Sequence, residues 1–153
     1  MDRKNWSKLL FAVYCLAMLW LLYGQRIGPG SGAPYWEVLR DHLVLEPFDT
    51  IRRFFWVLRH SSHPGQVSHA VINLAGNVIM FVPLGFFVPC IWQKPRKLGW
   101  HFLIMTLTIV LIELTQLFTL LGSCDVDDLI LNSLGYTIGY GIYAGVKCMK
   151  QKN

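Results

Sequence analysis

Apolar residues gather into four blocks along the chain, at 6–23, 70–92, 98–121 and 127–146, separated by polar, basic or Gly/Pro-rich segments. Each block is near the ~20 residues that a helix needs to cross the ~30 Å hydrocarbon core of a bilayer. The pattern predicts an all-α polytopic membrane protein: a four-transmembrane-helix bundle forming a single domain over residues 1–153, with a loop at 24–69. The first block follows Arg3, Lys4 and Lys8 and so has the outline of a signal peptide. A small-x-small cleavage site would fall at Ser31-Gly32-Ala33, well past the apolar run, while Trp20 and Tyr23 suit an interfacial aromatic belt. An uncleaved anchor is the reading taken.

Finer periodicities add detail. The loop opens on "GQRIGPGSGAP", whose Gly and Pro predict a turn or mobile stretch. From 49 to 60, Ile51, Phe54, Phe55 and Leu58 recur at helical spacing, with Arg52, Arg53 and Arg59 largely elsewhere on the wheel. This predicts an amphipathic helix capped by Asp49 or Thr50. It either lies in the outer headgroup layer with its arginines on lipid phosphates, or packs over the outer end of the bundle. "HSSHPGQ" reads as the turn into the second span, and Pro83 is expected to kink that span beside Gly85. Gly135-x3-Gly139 and Gly141-x3-Gly145 allow close helix approach, within the chain or across a homo-oligomer face.

Composition and charge sharpen the class. With 54% apolar and 15% charged residues, and a mean hydropathy of +0.41, the chain is not a soluble domain. Its net charge of +5 does not mark a nucleic-acid binder, because the cations flank the apolar blocks. Arg3, Lys4 and Lys8 precede the first, Lys94, Arg96 and Lys97 link the second to the third, and Lys147, Lys150 and Lys152 follow the fourth. If every block spans, these clusters share one side, which puts both termini in the cytoplasm. The loop at 24–69 balances its five arginines with Glu37, Asp41, Glu46 and Asp49 and belongs outside, with the aspartates at 125–128. Cys15, Cys90, Cys124 and Cys148 offer neither a disulfide framework nor a C-x-x-C spacing. Histidines 60, 63 and 69 lack an accompanying Cys or Glu ligand motif, and no G-x-S-x-G is present, so no metal and no cofactor is expected.

Depth makes the polar residues informative. At ~1.5 Å per residue, Glu113 sits about 12 Å in from the outer end of its block, Asn77 about 10 Å and Asn132 about 8 Å. Asn73 and Gln116 lie one turn outward of Asn77 and Glu113, and Asp128, Asn132, Gly135 and Gly139 form a stripe. An ionised carboxylate at a helix centre costs roughly 2.5–3.5 kcal/mol on insertion scales, so it faces a partner, a water-filled cavity or a ligand. The alternative is a buried Glu–Asn–Gln network that only fixes the bundle. Asp125 or Asp127 can cap the fourth helix, and Asp128 complements the positive end of its dipole. One acid suffices for a cap. The surplus predicts either a hard-cation site or, the reading favoured, an electrostatic partner for Arg52 and Arg53.

At these residues the chain resembles the VanZ-like family of small bacterial membrane proteins. The resemblance rests on "NLAGNVIMFVPLGF" (73–86), "IELTQLF" (112–118), "DVDDLILNSLGYTIGY" (125–140) and the loop stretch "LEPFDTIRRF" (45–54). Position by position it points to Asn77, Phe81, Pro83, Gly85, Glu113, Gln116, Asp125, Asp127, Asp128, Asn132 and Gly135. The chain departs from the family at Gly122, where many relatives carry an Arg, and at Val44, where an Asn is often found. The resemblance implies a bacterial plasma-membrane protein near the envelope, with a possible contribution to resistance against teicoplanin, a lipid-tailed glycopeptide. Together with the polar layer it leads to a ligand-binding groove. Asn73, Asn77, Glu113, Gln116, Asp125, Asp127, Asp128 and Asn132 would line it, roofed by Arg52 and Arg53, and it would take a membrane lipid headgroup or a lipid-tailed glycopeptide. The competing readings are an intramembrane enzyme acting on lipid-linked wall precursors, with Glu113 or Asp128 as general base, and a structural partner of other membrane proteins.

Overall fold

The computed structural model describes residues 3–24, 32–91 and 98–152. Among them are six α-helices: α1 (Arg3–Leu19), α2 (Tyr35–Asp41), α3 (Asp49–His60), α4 (Pro64–Ile91), α5 (Leu98–Thr119) and α6 (Val126–Lys152). Two short strands, β1 (Leu43–Val44) and β2 (Cys124–Asp125), pair in parallel with Leu43 opposite Cys124 and Val44 opposite Asp125. The fold is all-α in class. Most of the opening "GQRIGPGSGAP" stretch, and the cations Arg26, Lys94, Arg96 and Lys97, lie outside the described residues.

Among the described residues, three helical segments are long and apolar enough to cross a membrane: Asn5–Gly24, Pro64–Ile91 and Gly99–Thr119. The count by length and composition is therefore three, where the apolar blocks predicted four. α6 has the length, 27 residues. Asn132, the glycines at 135, 139, 141 and 145 and the tyrosines at 136, 140 and 143 dilute its apolar content.

Helix boundaries move where local chemistry is stronger than hydropathy. α4 begins at Pro64 rather than near residue 70, so the turn expected over "HSSHPGQ" shrinks to residues 61–63. Proline suits a first helical position because its missing N–H would have no partner there. The Ser61 hydroxyl braces the turn, accepting from the His63 N–H at 3.2 Å and donating to Gln66 Oε1 at 2.6 Å. α4 then runs through Pro83 and Pro89 as one continuous helix. α1 ends in a π-helical turn, Trp20–Gly24. α2 and both strands carry too little apolar periodicity to be anticipated.

The core joins Met18 and Leu22 of the first helical segment, Phe81, Leu84 and Val88 of α4, Met105 and Ile109 of α5, and Tyr136 of α6. α4 and α6 run in the same direction, since Gly135 meets Val78 and Gly139 meets Val82. A Cβ on Gly135 or Gly139 would fall on the carbonyl oxygen of that partner, and one on Gly85 would fall on the carbonyl of Tyr136. The absence of three Cβ atoms lets the backbones touch, and van der Waals contact holds helices together where lipid supplies no hydrophobic force. This close contact is the within-chain use of the Gly135/Gly139 pair, whose face is occupied by α4. Gly141 and Gly145 have open space where a Cβ would stand.

Hydrogen bonds tie the first helical segment to α4 and α5. Tyr14 donates to the Met80 carbonyl at 2.5 Å, Tyr23 and Thr115 share a hydroxyl contact of 2.5 Å, and Gln116 Nε2 reaches the Leu22 carbonyl at 3.3 Å. At the same end of α5, the Cys124 N–H donates to the His42 carbonyl at 2.8 Å, extending the β1–β2 pairing.

Candidate functional site

The aspartates at the start of α6 have distinct duties. Asp125 precedes the first residue of α6, and its Oδ1 accepts the Asp127 N–H at 2.8 Å, the bond of an N-cap. Its Oδ2 accepts the Thr50 hydroxyl of α3 at 2.6 Å, and its own N–H donates to Glu113 Oε2 of α5 at 3.2 Å. One residue thus joins α3, α5 and α6.

Asp127 is completely buried and turns away from its own helix. Its Oδ1 accepts the N–H of Phe48 at 2.5 Å and its Oδ2 the N–H of Ile51 at 2.9 Å. These are the N-cap and third-residue amides of α3, the two donors that a capping box would satisfy from within the helix. Phe48 has no side-chain oxygen to offer, so neither Asp49 nor Thr50 is the cap and the acid arrives from α6. Phe48 also sits in the left-handed region, at φ 65°. That conformation costs about 1–2 kcal/mol for a residue with a Cβ. Two hydrogen bonds to a charged group, each worth about 1.5–3 kcal/mol, offset it, and the carboxylate faces the positive end of the α3 dipole.

The arginines expected to answer these acids are engaged elsewhere. Arg52 pairs with Glu46 at 3.5 Å and Arg53 with Asp49, one turn before it, at 3.1 Å; all four side chains are well exposed. Arg53 touches the cluster at one remove, donating to the Thr50 hydroxyl at 3.2 Å. The electrostatic partner of Asp127 is a helix N-terminus, which corrects the expectation of a guanidinium. Sequence reasoning missed Thr50 and the amides of Phe48 and Ile51. The signals that touched them were Thr50 as a candidate cap, Ile51 on the apolar face and the "LEPFDTIRRF" stretch.

Polar groups of α4 and α6 meet. Asn77 of α4 donates through Nδ2 to Asp128 Oδ1. Glu113 faces inward, 5% exposed, and Asn132 is 3% exposed. The side-chain oxygens of Asn132 and Asn73 are buried without a hydrogen-bond partner. Gln116 is buried with its amide on α1, so its described bond is a tether between helices. Glu113 and Asn132 are thus buried, whereas Asn73, Asn77 and Asp128 are half-buried. Among the described residues no group of three His, Cys, Asp or Glu is placed to hold a metal ion. His60 Nδ1 lies 2.9 Å from the Trp56 carbonyl, and the His69 ring meets Phe54 edge-on at 5.6 Å.

The sequence pattern of the VanZ/LLP1 family matches residues 11–147, and this span contains every element of the layer. The chain belongs to the VanZ/LLP1 family. No curated protein and no solved structure matches it. VanZ/LLP1 membership and the three apolar helices fit a membrane protein.

Cys124 reports on the electrostatics of this VanZ/LLP1 layer. Burial pushes its thiol pKa up, and the charges of Glu113, Asp125 and Asp128 push it further the same way. The thiolate is the reactive form, so a raised pKa leaves less of it at neutral pH. In a Cys15/90/148→Ala background, Cys124 will react with a thiol reagent several-fold more slowly at pH 7 than the same protein unfolded. The gap will narrow as pH rises toward 9. Equal rates at pH 7 would show that the carboxylates do not surround this thiol.

Proposed function

We propose that this VanZ/LLP1 protein is a bacterial plasma-membrane protein whose polar layer binds the headgroup of a lipid or of a lipid-tailed amphiphile. In this reading α1, α4, α5 and α6 all cross the membrane as one domain, with both termini cytoplasmic. Support for the fourth crossing comes from packing, since α6 lies parallel to α4 with backbones in contact and must share its depth. α3 roofs the layer. It is held by Asp127 and Thr50 while Phe55, Trp56, Arg52 and Arg59 remain exposed, a mixture suited to headgroups.

The observation that carries the reading is the unpartnered oxygen of Asn132, buried one turn below Asp128. Like the Asn73 oxygen, it calls for a hydrogen-bond donor, which water or a bound headgroup would supply. Glu113 accepts the Asp125 backbone N–H, so one of its oxygens is already engaged. That suits binding better than service as a general base, and it ranks the enzyme reading second. A protein partner or second copy would use the open Gly141/Gly145 face.

Teicoplanin is one amphiphile to test, with vancomycin as the glycopeptide that lacks the tail. In a host without its own homologue, the wild-type chain is expected to protect selectively against teicoplanin. Glu113→Gln and Asp128→Asn, at equal membrane expression, are expected to lose that protection. Full protection by Glu113→Gln would remove the charged layer from the mechanism.

A further inference from the structure

Two tryptophans outside the long apolar helices are left uncovered by the fold: Trp36 of α2 is 68% exposed and Trp56 of α3 is 61% exposed. Hydrogen bonds fix their level. The Tyr35 hydroxyl of α2 donates to the carbonyl of Phe118, the penultimate residue of α5, at 2.9 Å. α3 is held by Asp125 and Asp127 where α6 begins. Both short helices therefore lie where the apolar length of α5 runs out. On α5 the exposed Leu107, Leu111, Leu114 and Phe118 recur at helical spacing, the face that a spanning helix turns to lipid. That stripe ends at Phe118, whose carbonyl holds Tyr35, and the Tyr35 ring meets Trp36 edge-on at 5.2 Å. The lipid-facing surface thus continues from α5 onto α2.

α3 divides its side chains between two faces. Ile51, Phe54, Val57 and Leu58 are half-buried, and Phe54 meets His69 of α4. Phe55 and Trp56 share the opposite face with Arg52 and Arg59, and all four are exposed. Arg52 is paired with Glu46, whereas among the described residues no ion pair engages Arg59. Tryptophan rings settle at the level of lipid headgroups, and an arginine lays its stem on apolar surface while its guanidinium reaches a phosphate. We infer that α2 and α3 form a docking surface for the bilayer itself, with Trp36, Phe55 and Trp56 inserted among the headgroups and upper acyl chains and Arg59 on a lipid phosphate. The occupant is lipid because the surface continues the face that α5 already turns to lipid. This contact rests on α4 and α5 crossing the membrane and not on what the polar layer binds, so the two readings can fail separately.

Fluorescence quenching of the full chain in phosphatidylcholine liposomes tests this. Trp36 or Trp56 is kept as the single tryptophan, the others being replaced by Phe. Lipid brominated near the carbonyl end of its chains is expected to quench both residues several-fold more strongly than lipid brominated near the chain ends. Acrylamide in the water is expected to quench them several-fold less than it quenches the unfolded chain. Leu111→Trp as the single tryptophan is the control, because mid-span on α5 it should respond to bromines deep in the chains. Acrylamide quenching as strong as in the unfolded chain, without quenching by shallow bromines, overturns the inference while the control leaves the spans standing. Protection of both residues from acrylamide and bromine alike would mean that protein covers the rings, and overturns it too. A control untouched by any brominated lipid removes the spans, and the docking surface with them. Arg59→Glu should raise acrylamide quenching of Trp56 several-fold and leave Trp36 unchanged; no rise overturns the phosphate contact. If the single-tryptophan chain loses its helical circular dichroism, a nitroxide on Trp56→Cys, with the native cysteines replaced by Ala, gives the answer. Collision with oxygen should then exceed collision with an aqueous nickel chelate, and the reverse order overturns the inference.

Discussion

Valine at Gly139 will leave the chain far less stable, because the added Cβ would lie on the Val82 carbonyl oxygen and within 3.0 Å of the Phe86 nitrogen. Overpacking a core usually costs about 1–3 kcal/mol, when flexible side chains give way. Here the obstacle is the backbone of a neighbouring helix, which cannot rotate aside, so a loss of about 3 kcal/mol or more is expected. In a chain of this size that corresponds to a fall in Tm of roughly 6–12 °C. Gly135→Val meets the Val78 carbonyl and should behave alike, whereas Gly141→Val enters open space and should be close to neutral. Thermal unfolding of the three variants in one detergent decides the matter. Equal Tm values would mean that α4 and α6 do not touch as described.

Alanine at Asp127 will release α3 from the bundle without unfolding the long helices. The substitution removes both acceptors of the Phe48 and Ile51 amides and leaves Phe48 in a left-handed conformation with nothing to offset it. With each bond to a charged group worth about 1.5–3 kcal/mol, a local loss of about 3 kcal/mol is expected. Hydrogen exchange would show it as a collapse of protection over 48–60 while protection in α4 and α5 persists. Asp127→Asn keeps one acceptor oxygen and should fall between. Thr50→Val loses the bond to Asp125 and the one donated by Arg53 but keeps both amide caps of α3, and should have the smallest effect. Unchanged protection in Asp127→Ala would show that α3 is held by its apolar face alone.

These two results bear on what can be read from residues alone. The long helices are legible because crossing a bilayer demands a length and a composition, and α3 is legible because its apolar residues keep a helical period. Depth counting assigned Glu113, Asn77 and Asn132, from three distant segments, to one level. It does so because a helix rises by a constant amount per residue, whatever its neighbours. The duty of Asp127 was not legible. Its partners are backbone amides 76 and 79 residues away, and every residue but proline carries such a donor. Opposite charges invited a pairing of Arg52 and Arg53 with the aspartates. Glu46 and Asp49 were closer along the chain and took them. The two glycine pairs of α6 look alike in spacing. Gly139 and Gly141 are nevertheless about 200° apart around the helix, so only one pair can face α4.

The wiring of α3 to the start of α6 also has a consequence for biosynthesis. The Ile51 amide leaves the ribosome 76 residues before the carboxylate that caps it. At about 5–20 residues per second, the loop waits roughly 4–15 s for Asp127. During that interval α4 and α5 must be made and inserted, while Phe48 has no reason to adopt its left-handed conformation. β1 waits equally for β2. The cap on α3 can therefore form only after the start of α6 has been made. A nascent chain arrested before residue 125 would display an uncapped, protease-sensitive α3.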